Sequence, residues 1–195
     1  PNMPTKPIII AVGRRGGDCA SLLALEQLGN ASLLYADTDT EDLARRPPAQ
    51  QLRLGSAISD ADFVRNDPDF SYKAAMADRD VIEDKLADSD LLLLVAGLGG
   101  GTGAGGSKAI ASIAREQGLP VVAFVTRPFG LEGAERVYRG RRGLSGLDKT
   151  ADLVVAFSQD QLLAFAERGV RLGSIMAVAD DYMRMSVAAM LDLIT

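Results

Sequence analysis

The most constraining feature of this sequence is a glycine-rich stretch at residues 99–106, where six of the eight residues are glycine. A wholly apolar run at residues 91–96 precedes it, and a helical pattern to residue 117 follows it. Glycine has no Cβ atom and reaches positive φ, so successive backbone N–H groups can approach an anion at the start of a helix. This position between a buried strand and a helix predicts a phosphate-binding loop.

Short apolar runs alternate with helical patterns along the whole chain. Strands are predicted at residues 7–12, 32–37, 51–54, 91–96, 120–126 and 153–157. Helices are predicted up to residue 28, over 68–87 and 107–117, and from about residues 131, 159 and 174. This alternation predicts an α/β fold, a three-layer Rossmann-like parallel sheet with helices on both faces, ending in a long helix of the central type. In such folds ligands bind beyond the carboxyl ends of the strands.

Composition narrows the function classes. The chain of 195 residues suits one domain, residues 1–195, and its 21 basic and 26 acidic residues argue against a nucleic-acid or membrane surface. No apolar run approaches the roughly 20 residues of a membrane helix, so no direct membrane insertion is expected. The single cysteine, Cys19, suits a reducing cytoplasm, which is the predicted location. The absence of histidine excludes His-based triads and His-ligated metals.

The glycine stretch GGGTGAGG resembles the signature loop of the tubulin/FtsZ family. Further short matches keep similar spacing: DTD at residues 37–39, DP at 67–68, KAA at 73–75, TRPF at 126–129, EG at 132–133 and QDQLL at 159–163. The resemblance covers the whole chain. It implies a guanine-nucleotide-binding domain of a filament-forming or cell-division protein, with GTP or GDP as ligand, Mg²⁺ as a further candidate cofactor and GTPase activity as the family's reaction.

The resemblance also implies a set of nucleotide-binding residues and no catalytic residue. Glu132 would accept hydrogen bonds from the ribose hydroxyls, and Arg136 would contact the nucleotide one helical turn later. Asp180 would read guanine through N1–H and the N2 amine, with Met176 under the ring and Gln159 in place of a base-contacting Asn. The remaining members would lie at the phosphates or beside them: Gly13, Arg14, Arg15, Gly16, Gly17, Asp18, Asp37, Asp67, Gly99, Gly100, Gly101, Thr102, Gly103, Ala104, Gly105, Gly106, Thr126 and Pro128.

Two loops depart from the family pattern. Arg14 and Arg15 replace two glycines, and they either clamp phosphate in a bidentate manner or fill the space that a nucleotide needs; the clamp is the favoured prediction. The loop that senses the terminal phosphate in the family has lost both its glycines at residues 63–68, which weakens the expectation that GTP is distinguished from GDP. Gly103 is expected to lie where the backbone approaches a phosphate group. Gly103→Val is therefore expected to abolish nucleotide binding and to leave the fold intact.

The end of the chain carries two further expectations. The family's water-activating acids and its second domain lie beyond residue 195, so negligible GTP hydrolysis is expected from this chain alone. The last helix is apolar on two faces, and one of them is expected to be exposed for self-association or for an FtsZ-like partner. One stripe holds Met183, Val187, Met190 and Ile194, and the other holds Ile175, Ala179, Tyr182, Ser186, Ala189 and Leu193. Met183 and Met190 are the residues expected at the interface.

Two alternatives stay open at this point. A degenerate module would keep the fold, lose turnover and act through self-association or a partner. A dinucleotide-binding protein is the remoter alternative, because residues 101–106 also match G-x-G-x-x-G and Asp37 ends the second strand as a ribose-binding acid does. Against the second alternative, that fingerprint belongs after the first strand, where residues 13–17 do not match it.

Overall fold

The computed structural model describes residues 5–25, 28–58, 66–165, 169 and 171–194. Six parallel strands form one sheet in the order β3-β2-β1-β4-β5-β6. The strands are β1 Pro7–Val12, β2 Ser32–Asp37, β3 Gln51–Arg53, β4 Leu91–Gly97, β5 Val121–Arg127 and β6 Leu153–Ser158. The two strands at the centre, β1 and β4, are the most apolar, as expected of strands covered on both faces.

Helices cover both faces of this sheet. They are α1 Gly13–Leu23, α2 Thr40–Leu43, α3 Pro68–Ala77, α4 Arg79–Leu86, α5 Ser107–Glu116, α6 Ala134–Leu147, α7 Gln159–Ala164 and α8 Leu172–Ile194. Alternate residues of the strands point to opposite faces, so Ile8 and Ile10 pack in one cluster with α3 to α6, whereas Ile9 packs in another with α1 and α8. The predicted three-layer α/β fold is confirmed.

Two predicted helices end earlier than expected. The predicted helix over residues 68–87 is broken at Asp78, which has a non-helical backbone (φ −99°, ψ 24°). The carboxylate of Asp78 instead accepts hydrogen bonds from the backbone N–H groups of Gly55 and Ser56. It therefore ties the α3–α4 junction to the segment after β3. The first helix ends at Leu23, and residues 26–27 of its predicted extension lie outside the described part.

The glycine stretch does not form an open loop along its whole length. Thr102–Gly106 form a π-helical turn that runs directly into α5. A Cβ atom on Gly103 would lie 2.0 Å from the carbonyl oxygen of Gly97, and one on Gly105 would lie 1.9 Å from that of Pro68. These glycines permit backbone segments to touch. The expectation that Gly103→Val leaves the fold intact is therefore wrong, because Gly103 is buried inside a close backbone contact.

The buried stripe of helix α8 is neither of the two stripes that the sequence suggested. Its buried residues combine members of both stripes with one new residue: Ile175, Ala179, Met183, Val187 and Leu191. An adjoining stripe is exposed at Val178 (45%), Tyr182 (49%), Met185 (52%) and Leu193 (82%). Placing Met183 at an interface was wrong, because its side chain is fully buried against the sheet. Among the described residues, no helix combines the length and the apolar character that crossing a bilayer requires.

Candidate functional site

A cleft with a volume of ≈ 610 Å³ opens at the carboxyl ends of the strands, where a parallel α/β fold places its ligands. About half of the residues predicted for the site line it: Arg14, Arg15, Asp18, Asp37, Gly99, Gly100, Thr126, Pro128, Glu132, Arg136, Gln159 and Met176. The lining also includes four residues that sequence reasoning did not assign to the site: Asp39, Asp42, Asn66 and Gly97.

The other predicted residues are not among those that line the cleft: Gly13, Gly16, Gly17, Asp67, Gly101, Thr102, Gly103, Ala104, Gly105, Gly106 and Asp180. Most of the glycines in this group are sites of close packing. Gly13 has φ +73°, and a Cβ atom on Gly16 would lie 2.4 Å from the carbonyl oxygen of Val95. These glycines let α1 and the π-helical turn approach neighbouring backbone, that of β4 at Gly16 and Gly103 and that of the start of α3 at Gly105.

Gly100 differs from its neighbours because it has free space around it. A Cβ atom on Gly100 would meet nothing within 4 Å, whereas one on Gly101 would lie 2.6 Å from the backbone nitrogen of Asp67. Gly100 also lines the cleft. Within the glycine stretch, Gly99 and Gly100 are therefore the residues whose backbone a ligand can approach, and the sequence alone did not separate them from the packing glycines.

Arginine–carboxylate pairs surround the end of the cleft nearest to α1. The Arg14 Nε atom donates to Asp42 Oδ1 at 3.0 Å, and the buried Arg46 guanidinium contacts Asp18 at 2.7 Å and Asp42 at 3.3 Å. Arg46 also lies over the ring of Tyr35, 5.4 Å from its centroid. The i,i+4 spacing of Asp42 and Arg46 was the sequence signal that could have revealed this cluster.

Asp37 lies at the end of β2 and is almost fully buried, with 4% of its surface exposed. Its Oδ1 accepts from the backbone N–H of Asp39 at 3.0 Å, and burial raises the pKa of its carboxyl to about 6. The neighbouring Thr38 hydroxyl lies 2.7 Å from that of Thr102. Thr102, predicted to offer its hydroxyl to phosphate, thus uses it to join β2 to the glycine stretch.

Asp67 serves as the N-cap of α3, as the sequence predicted. Its Oδ1 accepts from the backbone N–H groups of Asp69 at 2.8 Å and Phe70 at 3.3 Å. The cleft is lined instead by Asn66, which adopts φ 58°. The predicted departures at Phe63, Val64 and Arg65 lie outside the described residues.

The middle of the cleft holds the two residues predicted for the ribose. Glu132 Oε1 accepts from the backbone N–H of Phe129 at 2.8 Å, and Oε2 lies 2.7 Å from Arg136 Nε. Arg136 also approaches Gly99, so that a Cβ atom there would lie 3.0 Å from Nη2. A carboxylate has about four lone-pair sites. Glu132 can therefore accept further hydrogen bonds from a ligand while it stays paired with Arg136.

Gln159 and Met176 also line the cleft. Only 2% of Gln159 is exposed, and its Oε1 has no hydrogen-bond partner among the described residues. Buried polar atoms normally have a partner, so this acceptor is suited to a donor on a ligand. Asp180 is close by but is covered: Arg15 donates to its Oδ1 at 2.9 Å and to the carbonyl oxygen of Met176 at 3.0 Å. Arg15 therefore contacts α8, and the clamp of Arg14 and Arg15 on phosphate stays a prediction.

Comparison with known sequences identifies the family to which this fold and cleft belong. The sequence model of the Tubulin/FtsZ family, GTPase domain, matches residues 8–167. The chain therefore belongs to the tubulin/FtsZ family, and the match covers most of the cleft, including both glycine-rich segments. The dinucleotide-binding alternative is not favoured. The strand order is the one common to Rossmann folds, but the glycine fingerprint follows β4 and not β1.

Individual relatives are cell division proteins. The chain is 32% identical over 192 residues to cell division protein FtsZ 2 of Rhizobium meliloti, covering 98% of this chain and 56% of the relative. It is 30% identical over 190 residues to cell division protein FtsZ of Neisseria gonorrhoeae, covering 96% and 48%. The chain thus spans about half the length of the curated relatives it matches.

Solved structures show the same relationship. An empty FtsZ dimer from M. jannaschii superposes with a TM-score of 0.90 at 27% identity, covering 99% of this chain and 56% of that one. CetZ2 from Haloferax volcanii, solved as a GTPγS-bound protofilament, gives a TM-score of 0.79 at 25% identity, with 95% and 58% covered.

Proposed function

We propose that this chain binds a guanine nucleotide, GTP or GDP, in the cleft at the strand ends, as the nucleotide-binding part of a filament-forming, cytoplasmic protein of the cell-division type. The observation that carries the proposal is that one cleft joins an open backbone at Gly100 with an unpartnered, buried acceptor at Gln159. Backbone at a glycine-rich turn suits phosphate, and an acceptor suits the donor edge of guanine. Family membership and the CetZ2 structure, which was solved as a GTPγS-bound protofilament, support the same ligand.

The orientation follows from the chemistry of the lining. Phosphates would lie against Gly99 and Gly100, near Arg14, and the ribose would lie beside Glu132. The base would enter between Gln159 and Met176, where a thioether offers a polarizable surface to the ring. The described residues contain no group of three acidic or cysteine side chains that could hold a metal ion. A Mg²⁺ ion would therefore be held mainly by the nucleotide's own phosphates.

A titration with fluorescent GDP and ADP tests the ligand. Tighter binding of GDP is expected, whereas equal affinity or no binding of either would refute the guanine assignment. Gly100→Val tests the phosphate end, because its side chain would enter free space in the protein and would meet only a ligand. It should keep the melting temperature of the parent and lose GDP affinity. Gly173→Ala is the matched control, since a Cβ atom there also meets nothing within 4 Å.

We also propose that residues 1–195 alone turn GTP over slowly. General-base catalysis needs a positioned, available base. Three cleft carboxylates are instead held by arginines: Asp18 by Arg46, Asp42 by Arg14 and Arg46, and Glu132 by Arg136. Phosphate release at high protein concentration should stay near background. Robust turnover that disappears in Asp37→Asn would contradict this proposal and would identify Asp37 as the base.

Self-association through α8 is proposed with a second copy of the chain as the partner. The exposed stripe of Val178, Tyr182, Met185 and Leu193 supports it, as do relatives solved as a dimer and as a protofilament. A combined Tyr182→Glu and Met185→Glu variant should sediment as a smaller species than the parent.

The control for self-association is Val81→Glu, a similarly exposed apolar residue on α4 at the other face of the sheet. It should sediment as the parent does. An equal effect from both variants, or no concentration-dependent association in the parent, would refute the role of α8.

A further inference from the structure

Arg15 takes a defined path across the cleft. It lies in the first turn of α1, and its side chain passes over Gly97 at the end of β4. A Cβ atom on Gly97 would lie 2.6 Å from both Cβ and Cγ of Arg15. The lack of a side chain at Gly97 is therefore what allows Arg15 to lie there. This contact fixes the Cβ and Cγ atoms of Arg15, and the guanidinium at the end of the side chain contacts α8.

The guanidinium of Arg15 is held by two groups on α8. Nε donates to Asp180 Oδ1 at 2.9 Å, and Nη2 donates to the carbonyl oxygen of Met176 at 3.0 Å. The side chains of Arg15 and Asp180 are 21% and 18% exposed, so solvent screens their attraction only in part. Charge-assisted hydrogen bonds of this kind are among the stronger polar contacts in proteins.

The guanidinium of Arg15 therefore lies at the place where the carboxylate of Asp180 was predicted to bind the base. Arg15 lines the cleft and Asp180 does not. A guanidinium has hydrogen-bond donors and no acceptor, and the N1–H and N2 amine of guanine are donors as well. The N1–H and N2 edge of guanine therefore finds no complementary partner in Arg15. A carboxylate pairs with N1–H and the N2 amine together through both of its oxygens, and Arg15 occupies Oδ1 of Asp180, so this two-bond contact forms only when the Arg15–Asp180 ion pair opens.

We propose that Arg15 sets the affinity and base selectivity of the nucleotide site, because guanine must displace it from Asp180 to be read. This inference rests on the proposed function. In the closed arrangement Asp180 does not pair with the N1–H and N2 edge of guanine, so this edge contributes no selection against adenine. In the open arrangement Asp180 pairs with the guanine edge. The observed affinity for guanine nucleotides is then the intrinsic affinity reduced by the fraction of molecules in which the pair is open.

The experiment measures dissociation constants for fluorescent GDP and ADP with five proteins: the parent, Arg15→Ala, Arg15→Lys, Asp180→Asn and the double variant of Arg15→Ala with Asp180→Asn. Arg15→Ala should bind GDP about tenfold more tightly than the parent, with little change for ADP. Asp180→Asn should lose the preference for GDP in both backgrounds. Arg15→Lys, which keeps the charge and lacks the planar fork, should lie between the parent and Arg15→Ala.

Arg142→Ala is the matched control. Arg142 pairs with Asp69 at 2.8 Å between α6 and α3, outside the nucleotide cleft, so its removal should leave both dissociation constants unchanged. Thermal unfolding without nucleotide checks that each variant is folded.

Three results would overturn the inference. Weaker GDP binding by Arg15→Ala would mean that Arg15 holds the nucleotide directly. Equal tightening for GDP and ADP would mean that Arg15 only fills space, and unchanged constants would mean that the ion pair does not compete with the base. Failure of every protein to bind GDP, Arg15→Ala included, would contradict the proposed function and this inference with it.

Discussion

Asp37 provides a direct test of how a charged group in the cleft affects stability. Burial raises the pKa of its carboxyl from 3.8 to about 6, so the ionised form is disfavoured in the folded protein. The shift of about 2 units, at 1.36 kcal/mol per unit, corresponds to about 3 kcal/mol. Asp37→Asn keeps the shape and the acceptor for the Asp39 N–H group and removes the charge. At pH 7 the variant should therefore be more stable than the parent by up to about 3 kcal/mol.

The sign of the pH dependence follows from the direction of the shift. Between pH 4 and 6 the folded state binds more protons at Asp37 than the unfolded state does, so the free energy of unfolding falls as the pH rises through this range. Below about pH 3 the carboxyl is neutral in both states and contributes no difference. The advantage of Asp37→Asn should therefore be near zero at about pH 3 and reach its full value above about pH 6.5.

Urea denaturation of parent and variant at several pH values measures this difference, because the other carboxylates cancel in the comparison. Asp88→Asn serves as the control: Asp88 is exposed after α4, and its replacement should change stability by less than about 0.5 kcal/mol. A variant that is less stable than the parent by the same amount at pH 4.5 and pH 7 would refute the reasoning. Asp37 would then stabilise the fold through its hydrogen bonds, and its negative charge would not lower the free energy of unfolding.

The other predictions concern local packing. Gly103→Ala should lower the free energy of unfolding by about 3 kcal/mol or more, because its Cβ atom would meet the carbonyl oxygen of Gly97; a melting temperature equal to the parent's would contradict this. Asp67→Ala should cost about 1 kcal/mol in urea denaturation through loss of the N-cap, and no cost would show that the cap is dispensable. Cys19 is buried and its pKa is raised to about 12, so it should react with a thiol reagent at pH 8 only after unfolding; rapid labelling of the native protein would show an open site.

The architecture could be predicted from the sequence because the patterns that indicate strands and helices are local. Apolar runs, helical periodicity and the Asp67–Pro68 cap each depend on neighbouring residues, and the structure places strands and helices close to the predicted positions. The break at Asp78 escaped prediction because its cause is a hydrogen bond to the segment after β3. Helical periodicity carries no information about such a partner.

The candidate site was predicted less completely, for a related reason. A glycine that faces a ligand and a glycine that permits backbone packing look the same in the sequence, and only the contacts separate Gly100 from Gly103. The pairing of Arg15 with Asp180 joins residues 165 positions apart. Family resemblance assigned a role to each of the two residues separately, and neither role included the other residue.

The Arg15–Asp180 pair links stability to ligand binding in a way that can be read from thermal unfolding. The pair joins α1 to α8, so opening it weakens the protein without nucleotide, while the released carboxylate strengthens the complex with guanine. A ligand that binds only the folded state stabilises it by RT ln(1 + [L]/Kd). At saturating GDP, a tenfold lower Kd adds about 1.4 kcal/mol to that stabilisation. Arg15→Ala should therefore melt below the parent without nucleotide and show the larger rise in melting temperature when GDP is added. The two effects oppose each other, and a residue that served only packing would produce the first without the second.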